Sequence, residues 1–213
     1  MSRPKTITLS PTALDRNGIS VAATLGGAGN LTLGGALASG GTVTFTQSQH
    51  VSIYAAGNNA AVTFTVTGTD RYGTAMTEAI TGPNATTVTG SKNFATISQI
   101  AAGGATTGDV EAGVDGTCES QWFVLNYRGH DFNVGFGCEL TGTATYAVQH
   151  TFDNVLASGF VEDSATVYTN TTVTGETTNQ DGNYTNPPVA IRLAITAHTS
   201  GTVSIKIVGG GLS

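Results

Sequence analysis

The stretch 62-VTFTVTGTDRYGTAMTEAITGPNATTVT-89 decides the fold. Over residues 62–67 the apolar Val62, Phe64 and Val66 alternate with Thr63, Thr65 and Thr67. A period of two gives a strand with one face toward a core and one toward water or a partner. Thr69-Asp70-Arg71-Tyr72-Gly73 reads as a turn, because Asp bonds its own backbone and Gly takes positive φ. Residues 74–81 return as a second strand, closed by Gly82-Pro83-Asn84, and a third begins beyond. In the second strand Met76 and Ile80 share a face, with Glu78 between them. An acid there sits at an edge, pairs with a cation such as Arg71, or marks a bulge; all three stay open.

The rest of the chain repeats this formula. Of 213 residues only 10% are charged and 39% hydrophobic, against a usual charged share of about 25%. Thirty-seven threonines and 29 glycines take the place of the missing charge. Threonine suits strands and glycine suits turns. The composition is that of an all-β protein, almost without helix, and the length allows one large domain or two small ones. A net charge of −6 with eight scattered Lys and Arg residues argues against a nucleic-acid partner. So little surface charge favours self-association or docking on a larger assembly. No apolar run approaches the roughly 18 residues of a membrane span. The start MSRPKTITLSP lacks the apolar core of a signal peptide, so folding in the cytoplasm is expected. There Cys118 and Cys138 are expected as buried free thiols.

Taken in order, residues 5–9 form a first strand, and DRNG at 15–18 is a turn signal. Residues 19–23 and 30–37 read as short strands, 42–46 and 51–55 as alternating ones. Residues 94–101 and 109–114 close a first domain, residues 1–116. In the second, residues 117–213, Trp122-Phe123-Val124-Leu125 is a run expected of a strand covered on both faces. Residues 132–140 alternate with Phe132, Val134, Phe136, Cys138 and Leu140 inward. Residues 144–152 place Tyr146, Val148, His150 and Phe152 on one face. After a loop-rich section and a strand near 166–169 comes the polar loop 175–188, whose Tyr, Asn and Thr residues, if exposed, would suit sugar contact. Residues 189–196 and 202–208 are read as a terminal hairpin about Thr199-Ser200-Gly201, with Ile195 opposite Ile205 and Leu193 opposite Ile207. The fold expected is two small β-sandwich or jelly-roll-like domains.

Candidate chemistry is sparse. His50, His130, His150 and His198 make no local metal motif. His130-Asp131 reads as an exposed turn, and His150 as a hydrogen-bonded core histidine. The glycines at 26–29 precede no helix and cannot cradle phosphate. Asp70 and Asp181 sit in turns too poor in acids for calcium. Asn30, Asn84, Asn170 and Asn183 match glycosylation acceptors as chance products of a threonine-rich chain. Glu119 and Glu139 flank the aromatic region and are a carboxylate pair that an acid–base mechanism could use, but they read more simply as surface acids on adjacent strands. The expectation is no catalytic residue, no metal and no cofactor.

Residues 62–94, the phrase DGNYTNPPVAIRLAITAHTSGTVSIKIVG at 181–209, and His150-Thr151-Phe152-Asp153 together resemble segments of structural proteins of tailed bacteriophages. The resemblance covers about a third of the chain. It implies a non-enzymatic virion component in many copies, foremost a capsid decoration or cement protein acting as a dimer or trimer on the major capsid protein. A neck or tail component is the alternative. A carbohydrate-binding receptor module is a further one, disfavoured because the single Trp122 lies in a buried-looking run. Contact surfaces would be the threonine-rich strand faces and the segment from Ser2 to Leu9, where Arg3 and Lys5 make either a basic arm or a disordered tail.

Overall fold

The computed structural model of the protein describes residues 4–127 and 133–209. In chain order the strands are β1 (Lys5–Leu9), β2 (Asp15–Ala23), β3 (Gly29–Asn30), β4 (Ala38–Ser39), β5 (Thr42–Gln49), β6 (Ser52–Ala55), β7 (Thr63–Thr69), β8 (Ala75–Thr81), β9 (Thr87–Thr89), β10 (Phe94–Ala102), β11 (Val110–Val114), β12 (Cys118–Glu119), β13 (Phe123–Val124), β14 (Val134–Thr151), β15 (Tyr168–Glu176), β16 (Gln180–Tyr184) and β17 (Ala190–Gly209). One 3-10 turn, Glu162–Ser164, is the helical content of the described residues. The protein is all-β, and every strand pairing is antiparallel.

Two compact units divide the chain: Pro11–Thr117, and a discontinuous unit that joins the segment ending at Ser10 to everything from Cys118 onward. The sequence reading expects β1 in the N-terminal domain. It pairs instead with β17, Ile7 opposite Ile205 and Leu9 opposite Val203. The first unit is thus inserted between β1 and β12 of the second. Neither a free arm nor a tail describes Lys5, which is a strand residue; Ser2 and Arg3 lie outside the described residues.

The inserted unit is a sandwich. A sheet ordered β4-β5-β10-β7-β8, with β3 on β10, and a sheet ordered β2-β11-β6-β9 enclose one core that includes Ile19, Val43, Ile53, Phe64, Val66, Phe94, Ile97 and Val110. The 62–67 alternation is realised: Phe64 and Val66 are fully buried, each contributing about 1.5–3 kcal/mol. β7 and β8 form the expected hairpin from Thr63 opposite Thr81 to Thr69 opposite Ala75.

Glu78 resolves toward the edge. β8 is the outer strand of its sheet, and the buried carboxylate accepts from the Ser91 N–H at 2.6 Å, the Ser91 hydroxyl at 3.1 Å and the Lys92 N–H at 3.4 Å. A side chain at Gly90 would intrude on that carboxylate, its Cβ 2.3 Å from Glu78 Oε2. An inward charge on an outer strand also blunts the edge against unwanted pairing.

Two segments of this unit depart from the structure that their residues suggest. DRNG lies inside β2, as an excursion: Ser20 faces Ala112 and Asp15 faces Val114, so the turn signal becomes a multi-residue irregularity in the ladder rather than a chain reversal. Residues 30–37 contribute only Asn30 to a strand. Leu31 and Leu33 are still buried, held by hydrogen bonds from Leu31 N–H to Ile100 C=O and from Leu37 N–H to Gly18 C=O.

The second unit is built on one strand pair. β14 and β17 are paired from Val134 opposite Gly209 to Thr151 opposite Ala190. The alternations over 132–140 and 144–152 belong to a single strand; Phe132 itself is outside the described residues. The terminal hairpin is overturned, because Ile195 faces Tyr146 and Ile205 faces Cys138, with no reversal at 199–201. Gly142 and Gly201 lie opposite each other, at φ 92° and 87°. On one side of them the order is β16-β14-β17-β1, and on the other β15-β14-β17 followed by β12 and β13. Phe136, Cys138 and Ile205 from one side and Tyr146, Val148 and Leu193 from the other enter the same core. One sheet, bent at paired glycines, therefore does the work of two layers. The 122–125 run is less regular than expected: only Phe123–Val124 is strand and both residues are half-buried, while Trp122 and Leu125 are buried.

Candidate functional site

At the end of β14 the apolar face leaves the core. Tyr146 and Val148 are buried, His150 is half-buried and Phe152 is 57% exposed. The alternation continues past the point where the sheet can cover it. β15 pairs there, with Tyr168, 49% exposed, opposite His150. The end of β16 adds Tyr184 from the other side.

The four rings form a shelf. His150 stacks on Tyr168 with centroids 5.6 Å apart and planes at 25°, and meets Phe152 at 5.6 Å and Tyr184 at 5.1 Å edge to face. Phe152 and Tyr168 meet at 5.7 Å and 65°. These offset and T-shaped arrangements suit the ring quadrupoles. The Tyr184 hydroxyl and His150 Nδ1 are 3.1 Å apart. Burial pushes the His150 imidazole below its usual range and the Tyr184 phenol up to about 12. Both are neutral at neutral pH.

Beside the shelf lies a cavity of about 260 Å³, floored by His150, Phe152 and Tyr184 and walled by threonines and asparagines of β15, β16 and the segment after it. Asn170 is a structural member of that wall. Its carboxamide oxygen accepts from the N–H groups of Thr172 and Val173, and its nitrogen reaches Asn183 C=O at 3.4 Å. No Asp, Glu, Lys or Arg lines the cavity.

Glu119 lies by Ala194 with Arg192 at 3.9 Å, while Glu139 lies by Ser204 with Lys206 at 2.6 Å. They flank opposite sides of the glycine bend and are not brought together as a pair. Arg192 also rests on the Trp122 ring at 4.6 Å and donates to Gln149 at 2.7 Å. Asp70 is used within its turn, accepting from Tyr72 and Thr74 N–H, both at 2.8 Å. Asp181 is a strand residue opposite Gly137, not a turn residue. The Thr117 hydroxyl sits 2.6 Å from Asp115 and 2.9 Å from His50. With the hydroxyl in the middle, the imidazole cannot relay between acid and nucleophile. His198 Nε2 bonds Gly201 C=O at 3.1 Å and braces the bend. Cys118 and Cys138 are buried free thiols, the latter pushed up to about 12 by burial. Among the described residues no three His, Cys, Asp or Glu side chains gather as a metal site, and no helix is long and apolar enough to cross a membrane. His130 lies outside the described residues.

The alternation puts His150 and Phe152 on one face but points to a core histidine there, not to a site, and Phe152 is exposed. Sequence reasoning missed Tyr168 and read Tyr184 as part of a loop, although residues 180–184 are strand. No local pattern links 150, 168 and 184; only the pairing of three strands does.

The chain is thus an all-β protein of two units, one of which carries an aromatic cluster with two exposed rings, Phe152 and Tyr168. No protein-family model matches the chain, and no curated protein does. Among solved structures it has a weak neighbour in the stem and receptor-binding domain of the spike protein P1 from bacteriophage PM2. That match has 9% identity, 98% of this chain and 97% of that one covered, and a TM-score of 0.17. A likeness so low carries no argument about fold or function.

Proposed function

We propose that the chain is a non-enzymatic structural protein of a tailed-phage virion, of the decoration or cement type. It would be made in the host cytoplasm and seated as a dimer or trimer on the major capsid protein. The observation that supports this reading is the outer face of the β5-β10-β7-β8 sheet. Thr42, Thr44 and Thr46, then Thr96, then Thr63, Thr65, Thr67 and Thr69, and finally Thr77 and Thr81 alternate with the buried residues of their strands. The one charged residue in these four strands, Glu78, points inward and is buried. Covering a face without charges requires no ion to be desolvated, and depletion of charge marks the centre of protein interfaces. Many such contacts on neighbouring capsomers would stabilise a shell multivalently.

The test is binding to expanded empty capsids of the phage that encodes the chain, with its solution mass measured in parallel. A dimer or trimer that saturates shells at a fixed ratio per capsomer is expected, and Thr65→Lys with Thr77→Lys should abolish saturation without changing thermal unfolding. Undiminished binding by that variant would overturn the face. A ring-sized oligomer that ignores shells would move the protein to the neck or tail.

A further inference from the structure

We infer that the shelf of His150, Phe152, Tyr168 and Tyr184, with the cavity beside it, is a binding site for an uncharged saccharide. The inference is independent of where on a virion the chain sits and of the threonine-rich face, which belongs to the other unit.

Three features select this ligand. The first is exposed aromatic surface at a site already braced. Phe152 and Tyr168 are 57% and 49% exposed, yet each is fixed by contact with His150 and with the other. Fixed rings lose little freedom on binding. The electron-rich face of such a ring attracts the C–H edge of a pyranose, just as it attracts the edge of another ring.

The second feature is the wall. Thr169, Thr171, Asn183, Thr185 and Asn186 are exposed and line the cavity. Amides and hydroxyls both donate and accept, which matches sugar hydroxyls that do the same. An apolar peptide would bury these groups without partners, at a cost for each.

The third is the absence of charge. No ionised side chain lines the cavity, and the chain carries a net −6. A stacked nucleic acid would need a basic groove to follow its phosphates, and an acidic glycan would need a cation. The cavity, near 260 Å³, lies just below the roughly 300 Å³ at which drug-sized pockets begin. It therefore suits one or two sugar rings of a chain that runs on into solvent.

The experiment uses the full chain and saturation-transfer NMR with maltohexaose, cellohexaose and mannohexaose, with oligogalacturonate as the charged counterpart. Transfer to ring protons of at least one neutral oligomer is expected. Phe152→Ala and Tyr168→Ala, both exposed positions, should each weaken that binding about tenfold, and Asn186→Ala should weaken it less. Thr77→Ala, on the other unit, should leave it unchanged. Thermal unfolding of each variant shows that the fold is kept. No binding to any neutral oligomer at millimolar concentration would overturn the inference. So would binding that the ring variants leave intact, or a preference for oligogalacturonate. Loss of capsid binding in the two ring variants would instead assign the shelf to a protein partner.

Discussion

At Asp70–Gly73 and at Ser200–Gly201 the chain carries a similar local signal, a polar residue leading to a glycine at positive φ (80° and 87°). At the first the chain reverses; at the second the strand runs on. The difference lies in where the backbone groups find partners. Around Asp70 they are met on the spot: the carboxylate accepts from two amides, Asp70 N–H reaches Thr74 C=O, and Gly73 N–H reaches Asp70 C=O. Around Gly201 the strand pairing is with β14, far away in sequence, where Gly142 faces Gly201 and Thr141 faces Thr202, while Gly201 C=O also accepts from His198 Nε2 and the Ser10 hydroxyl. A glycine permits a bend and does not say whether the chain turns back.

The largest effect that would sharpen this contrast is that of Gly201→Ala. A Cβ there would lie 1.7 Å from Thr141 C=O, besides demanding positive φ. A loss of about 3 kcal/mol or more is expected in denaturant unfolding. Hydrogen exchange should rise across 134–151 and 190–209 and not across 63–81. A loss confined to residues 189–208 would show that these residues form a terminal hairpin after all.

Alkaline pH should separate the units next. Burial pushes Cys138 from 9.0 and Tyr146 and Tyr184 from 10.0, each up to about 12. For Tyr146 the nearby Cys138 and Glu176 add to the effect of burial. Groups whose folded values are raised contribute stability that is complete below the unfolded values. It is lost as pH climbs from about 9 toward 12. All three lie in the bent-sheet unit, so exchange there should accelerate first as pH rises through that window. His150, pushed downward, gives the opposite sign, with stability present above its ordinary 6.5 and lost as pH falls below it.

Glu78→Ala should cost about 2 kcal/mol, because the Ser91 and Lys92 amides lose their acceptor. The effect should register in exchange of 75–92 alone. Smallest is Gly73→Ala, about 1 kcal/mol, since a Cβ there meets nothing within 4 Å and only the positive φ is at stake. If Gly73→Ala and Gly201→Ala proved equally costly, the distinction between a free turn glycine and a packed bend glycine would fail.

The same distinction explains how far the sequence could be read. Strand character was legible wherever apolar residues alternate: Val43 and Phe45, Phe64 and Val66, Tyr146 and Val148 are all buried. The Asp70 turn was legible because its bonds are local. The shared face of Tyr146, Val148, His150 and Phe152 was legible, but not that it leaves the core at Phe152, because where the sheet stops covering a face is not written in the alternation. What local pattern could fix was an all-β chain, the hairpin over 63–81 and the inward face of the alternating strands such as β5, β7 and the body of β14. These follow from a period of two and from turn chemistry, both written within a few residues. Long-range pairing alone makes β1 close the distant sheet, joins β17 into one strand and brings Tyr168 and Tyr184 to His150. Each of these depends on which remote strand supplies the hydrogen-bond partners. Alternation alone cannot name that partner, because every alternating strand in the chain offers much the same edge.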